Sequence, residues 1–198
     1  MSNSARRHAR QRGVTLIEMI VFMMVIGIAL MGILAALTLT SNKSADPVRR
    51  KQALMIAEGL LEEVEQARFT YCDPASANAD GALSWSDCAI KENWGQLSPE
   101  PTASGRPFDN VNDYVAKPNV ATFAFNNAAG QLADANGNPM AVSGYTARLT
   151  ILPAILGGIG DAGTSTDTDV LRIVVQVDYD GQSLVLEGYR TRYAPNSL

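Results

Sequence analysis

The sequence predicts an α+β protein in which a long N-terminal helix, first membrane-spanning and then amphipathic, packs on a C-terminal antiparallel sheet. Three observations predict this class. Residues 19–37 are all apolar or Gly, and at about 1.5 Å per residue they cover the roughly 30 Å hydrocarbon core of a bilayer. Residues 46–69 repeat apolar side chains at helical spacing. After residue 143, apolar and polar side chains alternate around an Asp-Gly turn, as in a hairpin.

The thirteen residues before the apolar segment are basic, and no acid precedes Glu18. Basic residues beside an apolar segment stay in the cytoplasm, so we expect a single-pass protein with its N-terminus inside. A secretory signal peptide, cut near Ala35-Ala36, and an uncleaved signal anchor are the alternatives. The apolar segment is longer than a usual signal core, and an acid at its start has no purpose in a discarded signal. The basic residues are Arg6, Arg7, Arg10 and Arg12.

Glu18 is the only charged residue from 13 to 42, and a carboxylate at the edge of a membrane segment is costly without a partner. Residues 13–18 read GVTLIE, and behind a basic leader this string resembles the class III signal of type IV prepilins and pseudopilins. The resemblance implies that prepilin peptidase cuts between Gly13 and Val14 and that Val14 becomes the N-methylated terminus. It further implies that the N-terminal helix binds other pilin subunits, where Glu18 would dock by pairing with a neighbour's terminal amine.

These features divide the chain into four segments. They are the basic leader 1–13, which is removed, the transmembrane and amphipathic assembly helix 14–69, a loop region 70–142, and the β-sheet of a periplasmic head, 143–198. The resemblance places the protein in the bacterial inner membrane, with its head periplasmic, and afterwards in an extracellular pilus. Its implied partners also include the inner-membrane pilus assembly machinery.

The two cysteines, Cys72 and Cys88, fall outside the membrane in this topology, where disulfides form. We expect a Cys72–Cys88 bridge that closes a loop of about 15 residues and staples the start of the loop region, with two free thiols as the alternative. No metal site is expected, because His8 is the only histidine and leaves with the leader.

The amphipathic helix has an apolar stripe that must cover another element, and a sheet is the expected partner. Its early basic residues Arg49, Arg50 and Lys51 are interpreted as a solvated face. The stripe consists of Leu54, Ala57, Leu61 and Val64, widened by Ile56 and Leu60.

The loop region is rich in turn signals, with residues 121–125 as a candidate strand. Trp85, Trp94 and Tyr114 are expected to attach it to the core. In the sheet, strands are predicted at 145–151 and 171–179, the latter followed by an Asp180-Gly181 hairpin turn and a return strand.

Four further short sequence segments make the resemblance to pilins more specific. Together they are similar to the MshD-type minor pilins of mannose-sensitive haemagglutinin (MSHA) pilus systems, over most of the chain, which implies a role in pilus biogenesis and surface attachment. The strings are KQAL at 51–54, EGLLEE at 58–63, FTYCDP at 69–74 and RPFDNVNDY at 106–114.

Charge and composition argue against several functions. Without the four leader arginines, Lys+Arg falls from 16 to 12 against 20 Asp+Glu, a net charge of −8, so nucleic-acid binding is not expected beyond a local basic spot at Arg190 and Arg192. The exported chain has no histidine and no catalytic constellation, so neither enzyme activity nor a cofactor is expected. The acidic loops 134–138 and 161–169 are interpreted as Asx-rich turns rather than calcium sites.

The sequence thus predicts a minor pilin of an MSHA-like type IV pilus. A pseudopilin of a type II secretion system shares the same leader, helix and head, and remains an alternative. A tip adhesin or DNA-binding pilin is a second alternative, and a membrane-anchored enzyme is a third.

Overall fold

The structure, a computed structural model, describes residues 13–43, 47–96 and 105–192, with the backbone alone for residues 38–43 and 80. Its elements are two helices and three strands in chain order, which confirms the predicted α+β class. One compact unit contains the first helix, and a second contains everything described from residue 47 onwards. The elements are α1 (Leu16–Lys43), α2 (Pro47–Gln66), β1 (Tyr145–Pro153), β2 (Val170–Tyr179) and β3 (Gln182–Thr191).

The predicted helical segment 14–69 corresponds to two helices in the structure. α1 has 28 residues and ends at Lys43, and α2 has 20 residues and begins at Pro47. Pro is well suited to the first position of a helix, since its missing N–H has no partner there in any case. The three residues between the helices lie outside the described part of the chain, as does the leader up to residue 12.

α2 packs on β2 and β3 through one face, but that face differs from the predicted stripe. Leu54 and Leu61, which the sequence placed in the stripe, are only half-buried, whereas Leu60 is 2% exposed. The small side chains Ala53 and Ala57 let the helix backbone approach the sheet closely, so the larger leucines flank the contact instead of filling it. The buried face consists of Ala53, Ala57, Leu60 and Val64.

The sheet is antiparallel, with the order β1-β2-β3, and β2 lies at its centre. The predicted alternation is confirmed, since inward residues such as Ile173 are fully buried and face the helix side. Ile173 lies opposite Ile151 on β1 and Gly188 on β3. The predicted hairpin turn is also present: Asp180 and Gly181 both have positive φ, 47° and 73°, as a two-residue hairpin requires.

Residues 121–125 do not form the strand that the sequence suggested. Thr122 makes a single bridge to Leu149 on the outer edge of β1, with backbone hydrogen bonds of 2.9 and 2.8 Å. The chain then turns, because the N–H of Asn126 donates to the carbonyl of Phe123, while Phe125 inserts fully buried into the core. This loop therefore covers part of the β1 edge without extending the sheet.

The disulfide expected from the sequence is present between Cys72 and Cys88. It forms a second, small core in which both sulfurs pack with Ala82. Of the aromatic residues expected to attach the loop region, Tyr114 lies in the main core and Trp94 packs against it. Trp85 is not part of that core, and its indole N–H donates to the Glu92 carbonyl, just after the disulfide loop, at 3.1 Å.

The Cys72→Ser/Cys88→Ser variant should lose about 3 kcal/mol of unfolding free energy, because the reduced chain regains the loop entropy of a 16-residue separation. Denaturant titration of the full chain in detergent measures this loss. Wild-type protein under reducing conditions is the matched control and should behave like the variant. A variant as stable as the oxidised wild type would show that the small core holds the loop without the bridge.

Candidate assembly and processing site

The predicted processing motif lies at the start of α1. Gly13 and Val14 precede the helix and are exposed, and the carbonyl of Thr15 accepts the N–H groups of Glu18 and Met19 at 3.1 and 3.2 Å. These bonds close the first helical turn, which places Glu18 within it. A carboxylate in the first turn is favourable to the helix dipole, so the acid also supports the start of the helix.

The surface of α1 is apolar and exposed. Leu16–Leu37, 22 residues, is long and apolar enough to cross a membrane, judged by length and composition. None of its side chains is buried within the chain, and Gly27 and Gly32 have no heavy atom within 4 Å of where a Cβ would stand. An apolar helix with no buried face requires lipid or other helices around it, and small residues permit close helix contacts.

In the head, a buried ion pair joins α2 to the loop region. The guanidinium Nε of Arg106 lies 3.1 Å from Oε1 of Glu63, with the two side chains only 7% and 9% exposed. The same guanidinium donates through Nη2 to the carbonyls of Ala133 and Asp134, at 2.7 and 2.6 Å. The hydroxyl of Tyr114 donates to Oε1 of Glu63 at 3.2 Å.

The electrostatics of this cluster are governed by desolvation. Burial raises the pKa of Glu63 above its ordinary value, and the nearby Arg106 charge only partly offsets this. Burial likewise raises the pKa of Tyr114, which therefore remains a hydrogen-bond donor at any physiological pH. The cluster thus holds three chain segments together.

Arg49 is not the solvated residue that the sequence suggested. Its guanidinium makes two bonds to the Asp180 carboxylate, at 2.7 and 2.8 Å, and a third to the Ser143 carbonyl at 3.1 Å. It also lies over the Tyr145 ring, 4.5 Å from the centroid. Arg49 thereby ties the start of α2 to the hairpin turn, while Arg50 remains exposed as predicted.

The predicted basic spot at Arg190 and Arg192 is not on the surface. Arg192 is 6% exposed and lies between the rings of Phe69 and Tyr71, 4.2 Å from each centroid. Its Nη2 donates to the Thr166 carbonyl at 3.0 Å, and burial lowers its pKa. Arg190 is half-buried and donates to the Ala67 carbonyl at 3.3 Å. Each arginine thus donates to a main-chain carbonyl of the head, and the two do not form an exposed basic spot.

The acidic loops form Asx turns, as the sequence predicted. Oδ1 of Asp134 accepts the backbone N–H groups of Asn136 and Asn138, each at 2.9 Å, and these bonds lower its pKa. Oδ1 of Asp161 accepts the N–H of Gly163 at 2.8 Å. Within residues 13–43, 47–96 and 105–192, no three His, Cys, Asp or Glu side chains group as a metal site would require.

The described chain combines an exposed apolar helix, which has an acid in its first turn, with an α+β head that contains a disulfide. Residues 8–38 match the family described as the prokaryotic N-terminal methylation motif. The motif and the fold support a type IV pilin-like protein with a single apolar membrane anchor. No curated protein and no solved structure matched the chain.

Gly13, Val14 and Glu18 lie together in one short segment, as their spacing requires, and the cysteines meet in the disulfide. Sequence reasoning missed the pairing of Glu63 with Arg106. Both residues lie in strings that resemble MshD-type minor pilins, but neither string indicates that the two residues contact each other.

Proposed function

We propose that this protein is a minor pilin of an MSHA-like type IV pilus. Prepilin peptidase cleaves it after Gly13 on the cytoplasmic side of the inner membrane, and Val14 is then methylated. The head lies in the periplasm until the inner-membrane assembly machinery moves the subunit into the filament, or uses it to initiate one. There it supports pilus biogenesis and surface attachment.

The observation that carries this proposal is the methylation motif at residues 8–38, which leads directly into an exposed apolar helix. The narrower assignment to MshD-type minor pilins rests on the four sequence strings that resemble them. The strings at 58–63 and 106–114 are far apart in the chain, yet they meet through the buried pair of Glu63 and Arg106. The resemblance therefore includes residues that hold the head together.

Glu18 acts as the docking group between subunits. Cleavage creates a positive amine on Val14, and a neighbour's amine neutralises the Glu18 carboxylate in the apolar interior of the filament. Because an unpaired charge in that environment is expensive, only an axial position that brings the two groups together is stable. The pair thus sets the register between subunits.

Changing Gly13→Asp should abolish processing, because the cleaved bond lies directly after this glycine. Full-length protein expressed with prepilin peptidase is analysed by intact mass. Wild type should lose residues 1–13 and gain a methyl group, whereas Gly13→Asp should keep its leader. The control Gly27→Ala, at a position with no neighbouring atom within 4 Å, should be cleaved like wild type. A wild-type chain that keeps residues 1–13 would contradict the proposal.

Changing Glu18→Ala should leave cleavage intact but reduce incorporation into sheared pili by at least about tenfold, as expected for loss of a buried charge pair. Asp109→Ala removes an exposed carboxylate from the head and is the matched control. Equal incorporation of Glu18→Ala and wild type would refute the docking role. Wild-type protein that is cleaved, but is absent from pili and needed for protein secretion, would favour the pseudopilin alternative.

A further inference from the structure

The two outer strands of the sheet differ in what lies beside them. The loop region covers the outer side of β1, where Thr122 bridges Leu149 and the N–H of Asn119 donates to the Ile151 carbonyl at 2.8 Å. β3 pairs with β2 along all ten of its residues. Within residues 13–43, 47–96 and 105–192, no backbone group bonds to the other side of β3, which we call the free edge.

The register shows which backbone groups lie at the free edge. In an antiparallel ladder, residues alternate between bonding to one neighbouring strand and facing the opposite side. Leu149 bonds to the loop region, so its partner Val175 on β2 directs its N–H and C=O towards β3. There it meets Leu186, so Val185 and Glu187 direct their own groups to the free edge. The edge-facing residues are Ser183, Val185, Glu187 and Tyr189.

The free edge lacks features that commonly prevent strand addition, which include Pro, Lys and β-bulges. β3 contains neither Pro nor Lys, and its register with β2 has no interruption. The exposed Glu187 pairs with Arg172, and Arg190 donates to the Ala67 carbonyl at the end of the strand. The charges of β3 itself therefore have partners within the head and leave the backbone accessible.

One side of α2 runs beside the free edge. A Cβ at Gly188 would lie 3.2 Å from Cδ1 of Leu61 and would collide with the Glu65 carboxylate. Glu58 shares this side of the helix, because it precedes Leu61 by three residues. Neither Glu58 nor Glu65 forms an ion pair within the described part of the chain. The helix thus presents an apolar side chain between two carboxylates.

We propose that the free edge binds an extended segment of a different protein, which adds a fourth, antiparallel strand to the sheet. The alternating N–H and C=O groups select an extended backbone. On the helix side, Lys or Arg side chains of the segment complement Glu58 and Glu65, and an apolar one covers Leu61. On the other side, its residues lie beside Val185 and Tyr189, which are 49% and 44% exposed.

Charge disfavours a second copy of this chain as the occupant. Two β3 strands paired antiparallel are related by a two-fold axis, which puts both α2 helices on the same face of the joined sheet. Glu58 and Glu65 of one copy then face the same acids of the other, and such like-charge contacts are costly. The inference goes beyond the proposed function and does not depend on leader processing, because the free edge belongs to the head.

Peptide binding to the full chain in a non-ionic detergent tests the inference. The probe is a fluorescent seven-residue peptide that alternates Thr with Lys, Val and Lys, beginning and ending with Thr. Fluorescence anisotropy, corrected for binding to empty micelles, should show saturable binding in the micromolar range. The same peptide with Glu in place of Lys should bind at least about tenfold more weakly, because its charges repel the acids of α2.

Backbone methylation of the peptide tests the strand geometry. In the proposed antiparallel pair, the Thr residues share the outer face with Val185 and exchange hydrogen bonds with β3, whereas Lys and Val direct their backbone away. N-methylation of the Thr residues should therefore abolish binding, and N-methylation of Lys and Val should preserve it.

Variants of the protein complete the test. Val185→Pro removes an edge-facing N–H but no bond between β2 and β3, and edge strands tolerate Pro at such positions. It should weaken binding at least about tenfold, whereas the matched control Val185→Thr keeps the N–H and should bind like wild type. Glu58→Lys/Glu65→Lys, which leaves the strand unchanged, should bind the Glu peptide more tightly than the Lys peptide.

Three results would overturn the inference. The first is the absence of saturable binding of the Lys peptide to wild type. The second is binding that neither Val185→Pro nor N-methylation of the Thr residues weakens. The third is a wild-type dimer, seen by light scattering without peptide, that Val185→Pro dissociates, since the free edge would then bind a second copy.

Discussion

Arg106→Met should destabilise the head by about 3 to 5 kcal/mol. The substitution leaves Glu63 buried without its cation, which is the costly way to break an internal ion pair. It also removes the two hydrogen bonds to the Ala133 and Asp134 carbonyls, which hold the loop beside α2. Methionine fills much of the volume of the arginine stem, so the loss is mainly electrostatic. Denaturant unfolding of the full chain in detergent measures it.

The pH dependence identifies the cause. The folded pKa of Glu63 is already raised by burial, so the folded state holds its proton more tightly than the unfolded state. Stability from this group is therefore present below the ordinary glutamate pKa and is lost as the pH rises through the raised value. Removing Arg106 raises that pKa further, because the Tyr114 hydrogen bond alone then opposes burial and Asp134. The defect of Arg106→Met should be largest near neutrality and smaller in acid.

Two further variants serve as controls for this result. Arg106→Met/Glu63→Gln removes the uncompensated charge, so it should be more stable than Arg106→Met at neutral pH. Arg172→Met breaks a pair with Glu187 whose side chains are 37% and 42% exposed, and it should destabilise the head much less than Arg106→Met, because solvent screens an exposed pair. Equal losses for Arg106→Met and Arg172→Met would show that the buried pair contributes no more than a surface one.

Gly160→Ala should cost about 3 to 5 kcal/mol, because backbone conformation and packing both exclude a Cβ at this position. Gly160 has a φ of +88°, and its Cβ would collide with the Ala154 carbonyl oxygen and lie 2.9 Å from Val170. The obstacle cannot move easily, since the N–H of Ala154 donates to the Val170 carbonyl at 3.0 Å where β1 leads into β2. Thermal unfolding of the full chain measures the loss.

Gly157→Ala is the matched control in the same loop. Gly157 also has a positive φ, +60°, but no atom lies within 4 Å of where its Cβ would stand. Its substitution should cost only the backbone strain, about 1 kcal/mol. If Gly160→Ala were no worse than Gly157→Ala, the close approach to Ala154 and Val170 would have no part in stability.

The predictable features of this fold are those with local signals. Alternation predicted β2, because each of its faces is defined by neighbours two residues apart, and Asp180-Gly181 predicted the hairpin because few residue pairs adopt two positive φ angles. The sequence also predicted an apolar stripe on α2, but it included Leu54 and Leu61, which are only half-buried, and omitted Ala53, which is buried. Periodicity locates an apolar face, but the close fit of Ala53 and Ala57 on the sheet decides which part of that face is covered.

The loop region was less predictable, for a physical reason. Residues 121–125 have a strand-like composition, yet they make one bridge to β1 because the following turn directs Phe125 into the core. The basic residues were also misjudged where they pair at long range. The sequence around Arg49 and Arg192 predicted exposed side chains. In the structure, Arg49 pairs with Asp180 and Arg192 contacts the rings of Phe69 and Tyr71, all from distant parts of the chain.

The sequence by itself determined the methylation motif at residues 8–38, the apolar helix within it and the order of helices and strands, because each depends on residues close together in the chain. The tertiary structure alone decided the burial of the Glu63–Arg106 pair and the cover that the loop region gives to the edge of β1. Both arise where loop residues 105–140 pack against the rest of the head. Contacts at such sequence separation depend on how the whole head folds, so no local pattern encodes them.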